Sequence, residues 1–179
     1  MSRVHVLGPI WVRPMSNMTA ISGHTVQMDC PFTGYPYESI VWFKIEIDSN
    51  LVKLPQNHRQ RAISNGTLVI SLVDPLSDQH WYRCLVTSAG HSSAHSDVYL
   101  KVLIPPTINP ISVPKSLREG MRVVVTCAVL EGSPPIHISW TKEHLKVRAN
   151  HKMRISSNTD FSQTMFIEEV SEEESGSYQ

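Results

Sequence analysis

The stretch His80-Trp81-Tyr82-Arg83-Cys84 decides the fold, because a tyrosine two residues before a cysteine completes a spacing that begins far upstream. Cys30 lies 54 residues before Cys84, and Trp42 lies twelve residues after Cys30. This spacing is typical of two β-sheets joined by a disulfide, with the indole packed against the sulfur atoms. The sequence therefore predicts a Cys30–Cys84 disulfide, which stabilises the fold by about 4 kcal/mol in the chain-entropy model.

The segments around this frame have the pattern of short strands. Apolar residues recur at every second position through residues 26–30 and 98–102, and Leu68 and Ile70 have the same spacing within residues 67–71. A period of two marks strands with one buried face. Residues 64–67, with the sequence Ser-Asn-Gly-Thr, are a tight-turn signal between two such strands. Twelve prolines and eight glycines also argue against long helices. We predict an all-β fold of antiparallel sandwiches.

The same frame occurs twice along the chain. Cys30 and Trp42 recur as Cys127 and Trp140, about 97 residues later, and Tyr82 recurs as Tyr178. A period of this length is that of a whole domain. The spacing is that of immunoglobulin domains, so we predict two tandem immunoglobulin-like domains of the I-set type, covering residues 1–103 and 104–179.

The second domain contains only one cysteine of its pair. Cys127 is the equivalent of Cys30, and its partner is expected two residues after Tyr178, beyond the last residue, Gln179. We therefore expect the second domain to be truncated before its second cysteine. Disulfides indicate an oxidising compartment. The sequons that begin at Asn17 and Asn65 agree with that, so we predict an extracellular glycoprotein glycosylated at both.

The composition excludes several classes of protein. Sixteen Lys and Arg residues balance sixteen Asp and Glu residues, and 41% of the residues are hydrophobic. A neutral chain of this kind is neither disordered nor directed to nucleic acid. No apolar run reaches the length of a membrane-spanning helix, and the first residues lack the apolar core of a signal peptide. We therefore expect any membrane anchor of the full-length protein to lie outside this sequence.

No motif predicts catalysis or a bound cofactor. His91 and His95 are the best candidate metal ligands, but a loop does not bring an i,i+4 pair together as a helix does. His95, Ser96 and Asp97 have the residue types of a hydrolytic triad, yet neighbouring residues on a strand point to opposite faces. The acidic run at residues 168–174 is interpreted as a solvated turn. We expect no enzyme activity, no metal and no cofactor.

Several runs resemble the Dscam family, the Down syndrome cell adhesion molecules. They are Gly34-Tyr35-Pro36-Tyr37-Glu38-Ser39-Ile40-Val41-Trp42, Leu54-Pro55, Asn65-Gly66-Thr67-Leu68 and Ser77-Asp78-Gln79. The chain is similar over nearly its whole length to the seventh and eighth immunoglobulin domains of the arthropod members. It is also similar to the first two domains of the shortened chelicerate members.

The resemblance implies a single-pass cell-surface protein that binds copies of itself on another cell. In this family, the first of these domains pairs with an identical isoform, which gives neuronal self-recognition. Such pairing requires a two-fold, antiparallel contact between identical surfaces. The alternatives are a receptor segment that binds a different protein or an immune target, and a structural spacer in a large modular protein.

Two faces of the first domain are candidates for this contact. The first, here called the Gln27 face, is predicted to expose Gln27, Asp29, Arg61, Ile63, Thr67 and Val69. The second, here called the Trp81 face, is predicted to expose Val41, Phe43, Trp81 and Leu85. The first combines aliphatic groups with charges that can pair across a two-fold axis, and the resemblance favours it. The second is more apolar, so the alternative stays open.

Overall fold

A computed structural model describes residues 8–90 and 92–179 of the chain. The chain divides into two compact units, the first ending at Ile104 and the second spanning Pro105–Gln179. Nearly all regular structure in the described residues is β-strand. The predicted all-β fold class is therefore confirmed.

The described residues of the first unit form ten strands, most of them in two principal sheets. They are β1 (Gly8–Val12), β2 (Met18–Ile21), β3 (Val26–Met28), β4 (Phe32–Tyr35), β5 (Tyr37–Ile45), β6 (Leu51–Lys53), β7 (Gln60–Ala62), β8 (Leu68–Ile70), β9 (Trp81–Ser88) and β10 (Ser93–Leu103). The larger sheet has the order β2-β10-β9-β5-β6, and the smaller has the order β3-β8-β7. Strands β1 and β4 form a separate pair.

One pairing in the first unit departs from the predicted antiparallel arrangement. Strand β2 runs parallel to β10, with Met18 opposite Leu100. The chain leaves the β1–β4 pair after Val12 and passes through Pro14, which has no N–H to continue a ladder. It then runs along the larger sheet in the same direction as β10, an arrangement that alternation of residues cannot reveal.

The core of the first unit lies between the two sheets. Trp42, Tyr82 and Leu68 are fully or almost fully buried there. Cys30 and Cys84 form the predicted disulfide, with their Cα atoms 5.9 Å apart. Apolar side chains from both sheets surround this bridge, so burial and the covalent link hold the same two layers together.

The predicted turn at residues 64–67 joins β7 to β8. The Ile63 amide donates to the Thr67 carbonyl and the Gly66 amide donates to the Ile63 carbonyl, each at 2.9 Å. Gly66 has a φ of +89°, and a Cβ there would lie 3.0 Å from Cδ1 of Ile40. Its carbonyl accepts the indole N–H of Trp42 at 2.8 Å. Glycine is thus required both by the backbone conformation and by the close packing.

The second unit contains six strands and a 3-10 helix. They are β11 (Thr107–Ile108), β12 (Val123–Glu131), β13 (Thr141–Lys142), β14 (Leu145–Lys146), β15 (Met153–Thr159), β16 (Ser162–Ile167) and the helix Glu172–Glu174. One sheet has the order β11-β12-β16-β15, and β13 pairs with β14. Cys127 and Trp140 are buried in this unit. The Cys127 thiol is free, and its partner stays a prediction.

Matching hydrogen bonds support the predicted repeat. The hydroxyl of Tyr82 donates to the Asp78 carbonyl, and that of Tyr178 donates to the Glu174 carbonyl, both at 2.9 Å. Each tyrosine therefore closes a corner by bonding to the carbonyl four residues before it. Burial also raises the pKa of both phenols, which keeps them in the protonated form that donates.

Candidate functional site

The Gln27 face consists of the outward side chains of β3, β8 and β7 and of the residues that directly adjoin these strands. Gln27 lies opposite Val69, and Val69 lies opposite Arg61, so the three form one row across the sheet. Gln27, Asp29 and Arg61 are exposed, and Ile63 exposes 43% of its surface. These four residues lie where the sequence predicted.

The prediction that Thr67 and Val69 face water is wrong in one respect. Both belong to the outward side of the sheet, but they expose only 4% and 8% of their surface. Strand β8 is the middle strand of three, so longer side chains on β3 and β7 flank it on both sides. Alternation predicts the direction of a side chain, whereas burial also depends on its neighbours across the strands.

Asp29 is held in place from within the face. The Thr67 hydroxyl donates to Oδ1 of Asp29 at 2.5 Å. A buried donor directly before the central strand β8 thus fixes an exposed carboxylate directly after the edge strand β3. This charge-assisted bond limits the number of side-chain conformations. Arg61 belongs to the opposite edge strand, β7. The face therefore carries one anion and one cation on opposite sides of an apolar centre.

The Trp81 face consists of the outward side chains of the larger sheet. Val41 lies opposite Leu85 on β5 and β9, and both are partly buried, as is Phe43. Trp81 exposes 46% of its surface, and its ring lies 5.4 Å from that of Tyr99 on β10. The predicted orientation of these four residues agrees with the structure.

A cross-strand ion pair that the sequence did not predict lies in the middle of the Trp81 face. Nε and Nη2 of Arg83 donate to the two carboxylate oxygens of Asp97, each at 2.7 Å. This bidentate bond to Arg83 holds the pKa of the Asp97 carboxyl below its usual range, because it favours the charged form. The two positions are opposite each other on β9 and β10, a pairing that becomes apparent only when the two strands are aligned.

A second ion pair links the smaller sheet to the segment between β8 and β9. Asp78 is completely buried, and its carboxylate accepts from Nη1 of Arg59 at 3.0 Å and from Nη2 at 2.6 Å. It also accepts from the Gln60 amide at 3.0 Å and from the Asp74 backbone at 2.8 Å. Because every contact is internal, this cluster is structural. The charged residue four positions before Tyr82 was its only signal in the sequence.

Both predicted glycosylation positions are exposed and hydrogen-bonded. Oδ1 of Asn17 accepts the Tyr99 amide at 3.1 Å, and Oδ1 of Asn65 accepts the Thr67 amide at 3.0 Å. Asn17 thus lies beside β10, directly before β2 in the larger sheet, and Asn65 lies in the turn beside the smaller sheet. Glycosylation at either residue stays a prediction.

The other candidates from the sequence are a histidine pair, a run with the residue types of a hydrolytic triad, and an acidic run. His91 lies outside the described residues, and across the described ranges no three His, Cys, Asp or Glu side chains form a possible metal site. His95 is exposed, whereas Ser96 is buried and its hydroxyl accepts the Met15 amide at 3.0 Å. The acidic run forms the 3-10 helix after Ser171, whose hydroxyl donates to Glu174 at 2.5 Å. Among the described helices, none is long and apolar enough to cross a membrane.

Two successive β-sandwiches, each with a buried cysteine, a buried tryptophan and a tyrosine corner, define an immunoglobulin-type protein. The chain belongs to the immunoglobulin I-set family, whose model matches residues 9–102. A second model, described as an immunoglobulin domain, matches residues 105–179. This family is a non-enzymatic class.

The chain is also similar to curated cell adhesion molecules. It is 39% identical to the cell adhesion molecule DSCAM of Gallus gallus and 38% identical to that of Homo sapiens. Each match covers 99% of this chain and 8% of the relative. The cell adhesion molecule Dscam2 of Drosophila melanogaster is 34% identical over 79% of this chain and 7% of its own length. The chain thus spans less than a tenth of the length of these relatives.

A solved structure agrees with these matches. The N-terminal eight immunoglobulin domains of DSCAM isoform 1.30.30 match with a TM-score of 0.84 and 29% identity, over 97% of this chain and 25% of that one. The resemblance to the Dscam family is therefore confirmed, while the assignment to domains seven and eight stays a prediction. The predicted extracellular, cell-surface location agrees with relatives that are named as cell adhesion molecules.

Proposed function

We propose that this chain mediates homophilic cell adhesion, in which the Gln27 face of the first unit binds the same face of an identical chain on another cell. The observation that carries the proposal is the position of two opposite charges on one exposed face, with Asp29 directly after the edge strand β3 and Arg61 on the other edge strand, β7. A surface with one charge of each sign at opposite edges is complementary to itself.

A two-fold axis supplies the geometry of this contact. An axis that lies in the plane of the contact and bisects the line from Asp29 to Arg61 at a right angle brings the Asp29 carboxylate of each copy toward the Arg61 guanidinium of the other. Ile63, the exposed aliphatic group of the face, adds apolar area. Every favourable or unfavourable pair occurs twice, so one changed charge alters two contacts. This repetition supports discrimination between isoforms, as in neuronal self-recognition.

The similarity to cell adhesion molecules supports the class of function. A contact of this size is expected to be weak in solution, because the exposed face includes only four of the six predicted residues. Many copies on two opposed membranes increase the effective strength by avidity. Weak association of the chain in solution is therefore compatible with adhesion between cells.

Sedimentation equilibrium and bead aggregation test the proposal together. We expect the wild-type chain to self-associate reversibly at high concentration and beads coated with it to aggregate. Arg61→Ala should reduce both effects, because it removes one charge from each of two contacts. Asp48→Ala, in the exposed loop between β5 and β6, is the control and should behave as wild type.

Two results would contradict homophilic binding through this face. One is a chain that stays monomeric and does not aggregate beads. The other is Arg61→Ala behaving as wild type in both assays. If self-binding is absent and the beads capture a different cell-surface protein, the receptor alternative replaces the proposal.

A further inference from the structure

The outward side of the larger sheet is arranged in three rows that cross its strands. The aromatic row contains Tyr99, Trp81, Ile45 and Leu51, and the charged row contains Asp97, Arg83, Phe43 and Lys53. The third row contains His95, Leu85 and Val41. In each of the first two rows the members lie on β10, β9, β5 and β6 in that order. The rows extend the Trp81 face across four strands.

We propose that this side of the sheet binds the same side of a second copy, with the two copies parallel. The two-fold axis lies along the strands, midway between β9 and β5. Rotation about it places β10 over β6 of the second copy and β9 over β5. The contact is independent of the Gln27 face, which belongs to the other sheet.

Under this rotation, the aromatic row of each copy meets only aromatic and aliphatic side chains of the other copy. Trp81 of each copy lies over Ile45 of the other, and Tyr99 lies over Leu51. Trp81 and Leu51 expose 46% and 42% of their surface. Burial of aromatic and aliphatic surface at the centre of a contact is the main source of binding energy at protein interfaces.

The charged row is complementary to itself under the same rotation. Asp97 of each copy lies over Lys53 of the other, which brings together an anion and an exposed cation. Arg83 lies over the ring of Phe43, an arrangement that favours a cation–π contact. Asp97 keeps its bidentate bond to Arg83 within the chain, so the carboxylate is already oriented before binding.

The orientation distinguishes this contact from the proposed adhesion contact. Rotation about an axis along the strands leaves the strand direction unchanged, so both copies point the same way. Two chains on one membrane share such a direction, whereas chains on opposed membranes do not. The geometry therefore fits lateral association on one cell surface.

The size of the contact indicates a weak dimer. Four strands about 4.8 Å apart give a width of roughly 19 Å, and three rows about 7 Å apart give a length of roughly 20 Å. This corresponds to roughly 400 Å² per copy, at the low end for specific interfaces. Confinement to a membrane raises the effective concentration and compensates for low affinity.

Sedimentation equilibrium of the 179-residue chain and two matched variants tests the proposal. Lys53→Asp places a carboxylate over Asp97 of the other copy, and Arg61→Asp reverses one charge on the Gln27 face. Thr19→Ala is included in every protein, because it removes the sequon at Asn17 and keeps the amide that bonds to Tyr99. A Trp81→Ala variant tests the aromatic row without a change of charge.

We expect the Arg61→Asp chain to form a dimer that Lys53→Asp or Trp81→Ala weakens roughly tenfold or more. The Lys53→Asp/Arg61→Asp double variant should be monomeric. If Lys53→Asp and Trp81→Ala dimerise as strongly as the background that carries them, the Trp81-face contact is wrong. A monomeric Arg61→Asp chain also overturns it. If Lys53→Asp abolishes the wild-type dimer and Arg61→Asp leaves it unchanged, this contact stands and the Gln27-face proposal fails, so the two proposals fail separately.

Discussion

Asp78 is the residue on which the internal polar cluster of the first unit depends. It is completely buried and accepts four hydrogen bonds, two of them from Arg59. We predict that Asp78→Ala lowers the free energy of unfolding by about 3 kcal/mol, because removal of the carboxylate leaves the remaining hydrogen-bond donors without an acceptor. Urea denaturation measures the change. Asp48→Ala, at an exposed position, should change it by less than about 0.5 kcal/mol, and equal stability of the two variants would contradict the account.

The Thr67 hydroxyl both stabilises the fold and orients Asp29 on the Gln27 face. Its bond to Asp29 is buried on the donor side and charged on the acceptor side. We predict that Thr67→Ala costs about 1.5 kcal/mol and that Thr67→Ser retains most of the stability. Thermal unfolding of chains that also carry Asn65→Asp measures this, since Asn65→Asp removes the sequon and keeps an acceptor for the Thr67 amide. Equal losses in the alanine and serine variants would show that packing, not the bond, is responsible.

The pairing of β9 with β10 depends in part on Arg83 and Asp97. The pKa of folded Asp97 lies below its unfolded value, so the pair stabilises the fold above the unfolded pKa and loses this effect as the pH falls through the folded pKa. We predict that Asp97→Asn costs about 0.5–1 kcal/mol at pH 7. The difference from wild type should shrink below about pH 4.

Urea denaturation from pH 7 to pH 2.5 measures this difference. Arg83→Lys keeps the charge but not the bidentate geometry, so it should give an intermediate loss. A difference between wild type and Asp97→Asn that is independent of pH across this range would contradict the role of the pair.

The sequence predicts which side chains of a strand turn inward better than it predicts which strands pair with one another. Alternation along 26–30 and 67–71 is local, so it predicted which side chains turn inward and placed Cys30 in the core. The burial of Val69 depends on its position between β3 and β7. The parallel β2–β10 pair depends on the passage of the chain from the β1–β4 pair to the larger sheet after Val12. Both depend on residues distant in sequence, which the pattern of one segment does not encode.

The Gln27 face was easier to predict from the sequence than the row through Trp81. Sequence alone predicted that Gln27, Asp29, Arg61 and Ile63 are outward-facing, because one register fixes a whole strand. The apolar row through Trp81 was only partly predicted. Tyr99, Ile45 and Leu51 join Trp81 through the alignment of four strands, which requires three separate registers at once.

In the first unit as a whole, the Cys30–Cys84 bridge joins the two sheets. We predict that replacing both cysteines by alanine lowers the free energy of unfolding of this unit by about 4 kcal/mol, because the loop of 54 residues gains freedom when unfolded. Urea denaturation under non-reducing conditions measures the effect. Wild-type protein with a reductant should show a similar loss, and no loss in either case would contradict the structural role of the bridge.

A charge exchange between two chains tests the central claim most directly. Asp29→Lys places two cations in each half of the proposed contact, and Arg61→Glu places two anions there. Neither variant should bind itself, but a mixture of the two should form a heterodimer. The lysine introduced into one chain then meets the glutamate introduced into the other, while the native Asp29 and Arg61 meet on the second side of the contact.

Bead aggregation with two colours provides the measurement, in chains that also carry Lys53→Asp to remove the contact at the other sheet. We predict no aggregates for either variant alone and mixed-colour aggregates for the pair. Self-aggregation of the single variants, or a mixture that stays dispersed while the parent chain aggregates, would contradict homophilic binding through the Gln27 face.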